Sequence, residues 1–192
     1  MKRGGLILVI VAAVALWGVS AYNGMVKADE SVNSQWANVE SAYQRRSDLI
    51  PNLVETVKGY AEHEKGTFEA VINARAKATQ VKIDPTNMTP EQLQQFQAAQ
   101  GELSSALGKL LAVAEAYPDL KANENFLALQ SQLEGTENRI NTERNRFNEE
   151  AKSYNVTIKR FPKNLIANIF GFDAKAYFEA QEGAENAPKV QF

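Results

Sequence analysis

The feature that most restricts the fold of this chain is an uncharged apolar run over residues 4–22. As an α-helix, this run of roughly 19 residues would be about 28 Å long, close to the thickness of the hydrocarbon core of a bilayer. Amphipathic aromatic rings lie towards its far end, where they favour the headgroup region. The sequence therefore predicts one transmembrane helix within an anchor of residues 1–26, with Leu6, Ile10, Val14, Trp17 and Tyr22 as membrane positions.

A cleaved signal peptide is the alternative interpretation of this run. Lys2 and Arg3 precede it, and residues 19–21 form an acceptable small-residue cleavage site. The apolar core over residues 6–17 is long for a signal peptide, so we expect a retained anchor. The positive-inside rule then predicts a cytoplasmic N-terminus, with the remaining chain on the outer side of the membrane.

Beyond residue 30, apolar residues recur in alternating steps of four and three, which is typical of helices packed as in a coiled coil. The first series passes Pro51 without losing phase. We therefore expect one long helix that continues towards residue 78, kinked or restarted at this proline. The series comprises Val32, Trp36, Val39, Tyr43, Arg46, Ile50, Leu53, Val57 and Tyr60.

Two further long helices are predicted. Turn-forming residues 83–87 precede a capping Thr89-Pro90 pair, and the second helix ends at Pro118. Its glutamine-rich start, residues 92–100, is expected to project beyond the core or to contact a partner. Asn123 can cap a third helix that ends near residue 160. Short connections predict antiparallel neighbours, so the fold class is all-α, with an up-and-down bundle over residues 27–160.

The chain changes character after residue 160. Residues 161–178 contain a compact apolar stretch that, at about ten residues, is too short to span a membrane. It is expected to be a short helix that closes the bundle. Alternatively, it lies on the membrane surface or contacts a neighbouring subunit. The predicted interface residues are Leu165, Ile166, Ile169, Phe170 and Phe172, and the polar tail, residues 179–192, is expected to be flexible.

Two stretches, Gln44–Val54 and Glu115–Lys121, resemble the signature of the LemA family. The resemblance continues at Tyr154-Asn155 and Tyr177-Phe178-Glu179 and covers nearly the whole chain, although Phe147 stands where a tyrosine is usual. It implies a single-pass bacterial membrane protein with a helical-bundle domain, and it includes relatives associated with magnetosome membranes. The resemblance implies no established enzymatic activity.

Three charged residues fall in the apolar series: Arg46 in the first helix, and Glu137 and Arg144 in the last. A charge at a core position is costly unless it is paired. We therefore predict a layer in which Arg46 pairs with Glu137 and sets the register of the helices. The alternative is a ligand-binding site, to which the nearby Arg45 and Asp48 would also contribute.

Composition argues against most catalytic and nucleic-acid functions. The chain has no cysteine, one histidine (His63) and a net charge of -2. A zinc site needs more nitrogen or sulfur ligands, and nucleic-acid binding needs clustered basic residues. We therefore predict a non-enzymatic protein with no cofactor, metal or nucleic-acid partner.

The predicted partners are the lipid bilayer, further copies of this chain and an envelope protein. The predicted role is a self-associating scaffold or adaptor in the bacterial inner membrane, with the bundle on the periplasmic or extracytoplasmic side. The alternative is a sensor or adaptor that binds a ligand or peptide and is linked to envelope stress or proteolysis.

Overall fold

A computed structural model of the protein describes residues 3–179. Helix α1, Arg3–Lys58, packs mainly against α5, Glu124–Lys159. Helix α2, Lys65–Gln80, packs mainly against α3, Pro90–Val113. The described part contains no strand. The predicted all-α class is confirmed, and the arrangement is compatible with an up-and-down bundle.

Three short helical elements complete the described part. A 3-10 turn, Ala114–Ala116, and helix α4, Pro118–Lys121, connect α3 to α5. Helix α6, Lys163–Phe170, follows α5. The predicted flexible tail lies outside the described residues, apart from Glu179.

The N-terminal turns of α1 are free of the bundle. Nearly all side chains over residues 4–20 are exposed, and burial begins at Ala21 and Met25. Within residues 3–179, α1 is the one helix whose length and composition would allow it to cross a membrane. A row of large apolar side chains this long is costly to leave in water.

Helix α1 continues through Pro51 and ends only at Lys58. The prediction of one helix that is interrupted at Pro51 and continues to residue 78 was therefore wrong about the position of the break. The chain turns over residues 59–64 instead, where the amides of Tyr60 and Ala61 both donate to the Val57 carbonyl. Burial of α1 side chains on both sides of Pro51 offsets the backbone hydrogen bond that the proline removes.

The start of α3 is capped as predicted. The Thr89 hydroxyl accepts from the Gln92 amide, and the Gln92 side chain accepts from the Thr89 amide. The expectation that this glutamine-rich start projects beyond the core was wrong, because Leu93 and Phe96 are buried. The centroid of the Phe96 ring lies 5.4 Å from that of Trp36. Leu93 and Phe96 alone therefore suffice to pack the first turns of α3 against the core.

Two apolar clusters form the core. One lies towards the free end of α1 and includes Trp36, Phe147 and Tyr154. The other surrounds the far end of α1 and includes Leu53 and Leu110. On α1, α3 and α5 alike, polar residues separate the positions that belong to the two clusters. The bundle therefore has an internal polar layer, defined here as Arg46, Gln100, Ser104 and Glu137.

An extended segment, residues 171–179, runs back along the bundle and is called the strap here. Asn155 donates to the Lys175 carbonyl and accepts from the Lys175 amide. Asn148 forms the same pair of hydrogen bonds with Phe178. The Phe178 ring stacks on Trp36 with the centroids 5.9 Å apart. Two asparagines spaced two helical turns apart therefore replace a neighbouring strand as hydrogen-bond partners for the strap.

Replacing Asn155 with alanine is expected to lower the free energy of unfolding by about 2 to 3 kcal/mol, because it leaves the buried amide and carbonyl of Lys175 without partners. Faster hydrogen exchange at the Lys175 amide would report release of the strap. Asn145→Ala, at an exposed position on the same helix, is the matched control. Equal exchange rates at the Lys175 amide in the two variants would show that Asn155 does not hold the strap.

Candidate functional site

Arg46 is the centre of the polar layer. Its Nη1 atom donates to Glu137 Oε1 over 2.8 Å and to Ser104 Oγ over 2.7 Å. Its Nη2 atom donates to the side-chain oxygen of Gln100. Gln100 Nε2 in turn donates to the Ala78 carbonyl at the end of α2. One guanidinium thus joins α1, α3 and α5 directly, and α2 through Gln100.

The two charges of this ion pair differ in exposure. The side chain of Arg46 is 2% exposed, and that of Glu137 is 37% exposed. Arg46 Nε is buried without a hydrogen-bond partner. Desolvation of the guanidinium offsets much of the Coulombic gain, so the layer is better suited to fixing helix register than to adding stability.

Tyr43 lies beside the layer, with the Arg46 guanidinium 5.1 Å from its ring centroid. Burial raises the pKa of the Tyr43 phenol above its usual value, and the positive charges of Arg144 and Arg46 partly oppose this rise. The phenol therefore stays neutral at physiological pH and acts as a packing group with a polar edge.

The structure places Glu137 and Arg144 at the edge of the core. At both places the residue one position earlier on α5, Thr136 or Glu143, is the buried one. Steps of three and four from Ile140 reach either Glu143 or Arg144, and both carry charge. The sequence pattern alone therefore could not decide which of them faces inward.

Glu143 is a fully buried carboxylate that the sequence analysis missed. Arg139 Nε lies 2.6 Å and Arg146 Nη1 3.2 Å from its Oε1, and Gln35 Nε2 donates to Oε2 over 2.7 Å. Both arginines are more than half exposed, so they cover the carboxylate from the solvent side. The signal that could have found Glu143 is its arginine neighbours at i-4 and i+3 on one helix.

The five predicted site residues divide between two clefts. Arg46, Glu137 and Arg144 line a cleft of about 530 Å³. Arg45 and Asp48 line a separate cleft of about 810 Å³ on another face of α1. Asp48 accepts from the Gln44 side chain and is exposed. The structure therefore brings together Arg46, Glu137 and Arg144, the three charged residues of the apolar series. It places Arg45 and Asp48 in a different cleft.

The first cleft has a polar lining with two guanidinium groups. Gln94, Gln97 and Asn141 add amide groups to it. Gln97 and Arg144 both donate to the Glu179 carbonyl, over 3.2 Å and 3.0 Å. This arrangement can bind a carboxylate or a peptide backbone through hydrogen bonds and charge. Within residues 3–179, no group of three histidine or acidic residues is placed to hold a metal ion.

The predicted membrane positions, Leu6 to Tyr22, lie along the free end of α1 with exposed side chains. In the predicted interface segment, Ile166 and Phe172 pack partly against the core. Leu165, Ile169 and Phe170 are exposed. The segment 161–178 thus has one side on the bundle and another side free.

Stability is expected to fall as the pH rises from about 10 to about 12. Burial, followed by the negative charges of Asp29 and Asp173, raises the pKa of Tyr154 to about 12. The unfolded chain loses this proton near pH 10 while the folded chain keeps it up to about pH 12. Each pKa unit corresponds to about 1.4 kcal/mol, so the fall is roughly 2 to 3 kcal/mol. Below pH 10 the contribution is fully present. Tyr154→Phe should reduce the slope of unfolding free energy against pH, and an unchanged slope would contradict the assignment.

Comparison with known proteins identifies relatives that cover most of the chain. Magnetosome protein MamQ 2 of Paramagnetospirillum magneticum is 29% identical over 196 residues, which cover 93% of this chain and 72% of that protein. Magnetosome protein MamQ of Magnetospirillum gryphiswaldense is 28% identical over 181 residues, covering 85% of this chain and 66% of that protein.

Protein LemA of Metamycoplasma hominis is 24% identical over 164 residues, covering 85% of this chain and 71% of that protein. The model of the LemA family matches residues 35–192. This range begins beside Trp36 and includes the polar layer, Glu143 and the strap. The resemblance predicted from the signature residues is therefore confirmed, and this chain belongs to the LemA family.

Proposed function

We propose that this protein is a non-enzymatic, single-pass membrane protein whose helical bundle acts as a scaffold or adaptor in the bacterial envelope. The observation that carries the proposal is the continuity of α1. The helix passes without interruption from an apolar end, whose side chains are nearly all exposed over residues 4–20, into the packed core. A helix with this pattern couples a bilayer anchor rigidly to the domain above it.

Retention of the anchor is supported by the packing around the alternative cleavage site. Ala21, the last residue of that site, is buried in the bundle, and Met25 is fully buried one turn later. The apolar run and the bundle thus share one helix with overlapping ends. Lys2 and Arg3 favour a cytoplasmic N-terminus, so the bundle would lie on the outer side of the inner membrane.

The scaffold role is supported by the exposed polar side chains on the outside of the bundle and by the buried charges of Arg46 and Glu143, each of which is paired with other residues of this chain. Arg46 forms an ion pair between helices α1 and α5, and Glu143 forms its ion pairs within α5. Two of the relatives named above are magnetosome proteins, and a scaffold role in such an assembly is consistent with the proposal. Self-association would let one anchored bundle organise several neighbours.

Crosslinking in native membranes, followed by native mass measurement in mild detergent, tests the scaffold role. We expect an oligomer of this chain or a reproducibly co-purified envelope protein. A single-cysteine variant at exposed Asn38 gives crosslinks at a defined place, because the chain has no cysteine of its own. A strictly monomeric protein with no partner would contradict the proposal.

A sensor or adaptor that binds an acidic ligand or peptide is the second candidate. The observation in its favour is the cleft of about 530 Å³ that Arg46 and Arg144 share. Arg144→Gln should abolish recovery of a partner. It removes one exposed hydrogen bond to the Glu179 carbonyl, so the free energy of unfolding should fall by no more than about 1 kcal/mol. Arg45→Gln, in the other cleft, is the matched control. Equal partner recovery by both variants would count against this site.

A further inference from the structure

Helix α6 lies beside the point where the apolar run of α1 ends. The Tyr22 ring meets the Phe170 ring edge-on with centroids 4.9 Å apart, and the Phe172 ring with centroids 5.6 Å apart. Tyr22 is the last residue of the apolar run, residues 4–22. If α1 spans a bilayer, α6 is therefore held at the level where the span enters the headgroup region.

The outer side of α6 carries a concentrated apolar surface. Leu165 and Ile169, one turn apart on α6, are 54% and 76% exposed, and Phe161, which precedes the helix, is 74% exposed. Phe170, whose ring lies beside Tyr22, adds a fourth exposed apolar side chain. The opposite side carries Ala167, which is buried against the core. Four large apolar side chains within ten residues are costly in water, whereas an amphipathic helix at a lipid interface requires such a surface.

Basic side chains stand at the N-terminal end of α6. Lys159 and Arg160 are exposed, and Lys163 is half-buried. Cationic groups at the edge of an apolar helix face suit the negative surface potential of anionic lipids. The charge pattern and the apolar surface therefore indicate the same kind of partner, and the Phe170 end of α6 lies next to the proposed membrane span.

We propose that α6, together with Phe161, lies in the lipid interface of the leaflet from which α1 emerges. Its exposed apolar side chains point towards the acyl chains, and its basic end lies among the headgroups. This inference rests on the proposed membrane anchor. It adds a second attachment point, so the bundle is held by one spanning helix and one interfacial helix. Two attachment points fix the rotation of the bundle about α1, which one helix alone would not do.

Depth measurement with single spin labels on the full chain in lipid vesicles tests this inference. The chain has no cysteine, so one introduced cysteine gives one label. Labels at Leu165 and Ile169 report on α6, and a label at Ile72, an equally exposed apolar position on α2, is the control. The vesicles contain phosphatidylcholine with phosphatidylglycerol. Oxygen and a water-soluble nickel chelate serve as the two collision probes.

The expected result is a severalfold higher ratio of oxygen to nickel collisions at positions 165 and 169 than at position 72. Labels at 165 and 169 that match position 72 would overturn the proposal. Spin–spin broadening that disappears on dilution with unlabelled protein would also overturn it, because a second copy would then cover α6.

A fourth label, at Ile10, separates failure of this inference from failure of the anchor. A bilayer-buried position 10 with water-exposed positions 165 and 169 would reject the interfacial helix and leave the anchor intact. A water-exposed position 10 would reject the anchor, and the interfacial assignment of α6 with it. Both α6 positions are more than half exposed, so the labels are not expected to disturb folding, and an unchanged helical circular dichroism signal verifies this.

Discussion

Arg46→Ala is expected to lower the free energy of unfolding of the bundle by about 3 kcal/mol, because it removes one partner of a buried ion pair. The change also leaves Gln100 and Ser104 without their shared donor in the layer. Arg45→Ala changes the adjacent, exposed arginine and is expected to alter stability by less than about 0.5 kcal/mol. The comparison isolates the effect of burial from the loss of one positive charge.

Guanidinium unfolding in mild detergent, followed by tryptophan fluorescence, measures this difference. The chain has two tryptophans, and Trp17→Phe leaves only Trp36, which is buried in the bundle core. Arg46→Met, which restores apolar volume, should recover part of the loss. Equal stability of Arg46→Ala and Arg45→Ala would contradict the structural role of the layer. The role of Arg46 would then be ligand binding in the cleft that it lines with Arg144.

The double substitution of Ile10 and Val14 by arginine is expected to abolish retention in the membrane. Each arginine near the centre of a membrane helix costs about 2.5 to 3.5 kcal/mol, so the pair opposes insertion by roughly 6 kcal/mol. Both residues lie one turn apart on the free part of α1, so the bundle itself should still fold. The measurement is the fraction of protein that stays in the membrane pellet after alkaline carbonate extraction.

Ile72→Arg with Ala76→Arg is the matched control. These two residues are also exposed and one turn apart, but they lie on α2 in the bundle. The control adds the same charge and should remain in the pellet. Release of both double variants would show that added charge alone reduces retention. Retention of both would contradict the assignment of residues 4–22 as the anchor.

Much of the fold could be predicted from the sequence because the apolar period is regular. The core positions of α1 from Val32 to Val57 follow the predicted series, and Asn123 caps α5 as expected. The end of the first helical segment was predicted at Pro51 instead of near Gly59, because proline is a stronger helix-breaking signal than glycine. Tertiary packing nevertheless keeps the helix intact at Pro51 and ends it at Lys58.

The candidate site was less predictable because it depends on which face of each helix turns inward. Charges at adjacent positions, such as Glu143 and Arg144, fit the same period, and only packing against α1 selects Glu143. The position of the strap could not be predicted from the sequence for a different reason. Asn148 and Asn155 bind its backbone, and backbone hydrogen bonding across 20 to 30 residues leaves no pattern in one sequence.

Accessibility of single cysteines along α1 tests the central claim most directly, since α1 is proposed to run from the membrane into an external bundle. Cysteine replaces Ile10, Val14 or exposed Asn38 in the cysteine-free chain, and spheroplasts receive a membrane-impermeant maleimide. Position 38 should react without detergent, whereas positions 10 and 14 should remain unmodified until detergent is added. Reaction at position 10 in intact membranes, or reaction at position 38 only after permeabilisation, would contradict it.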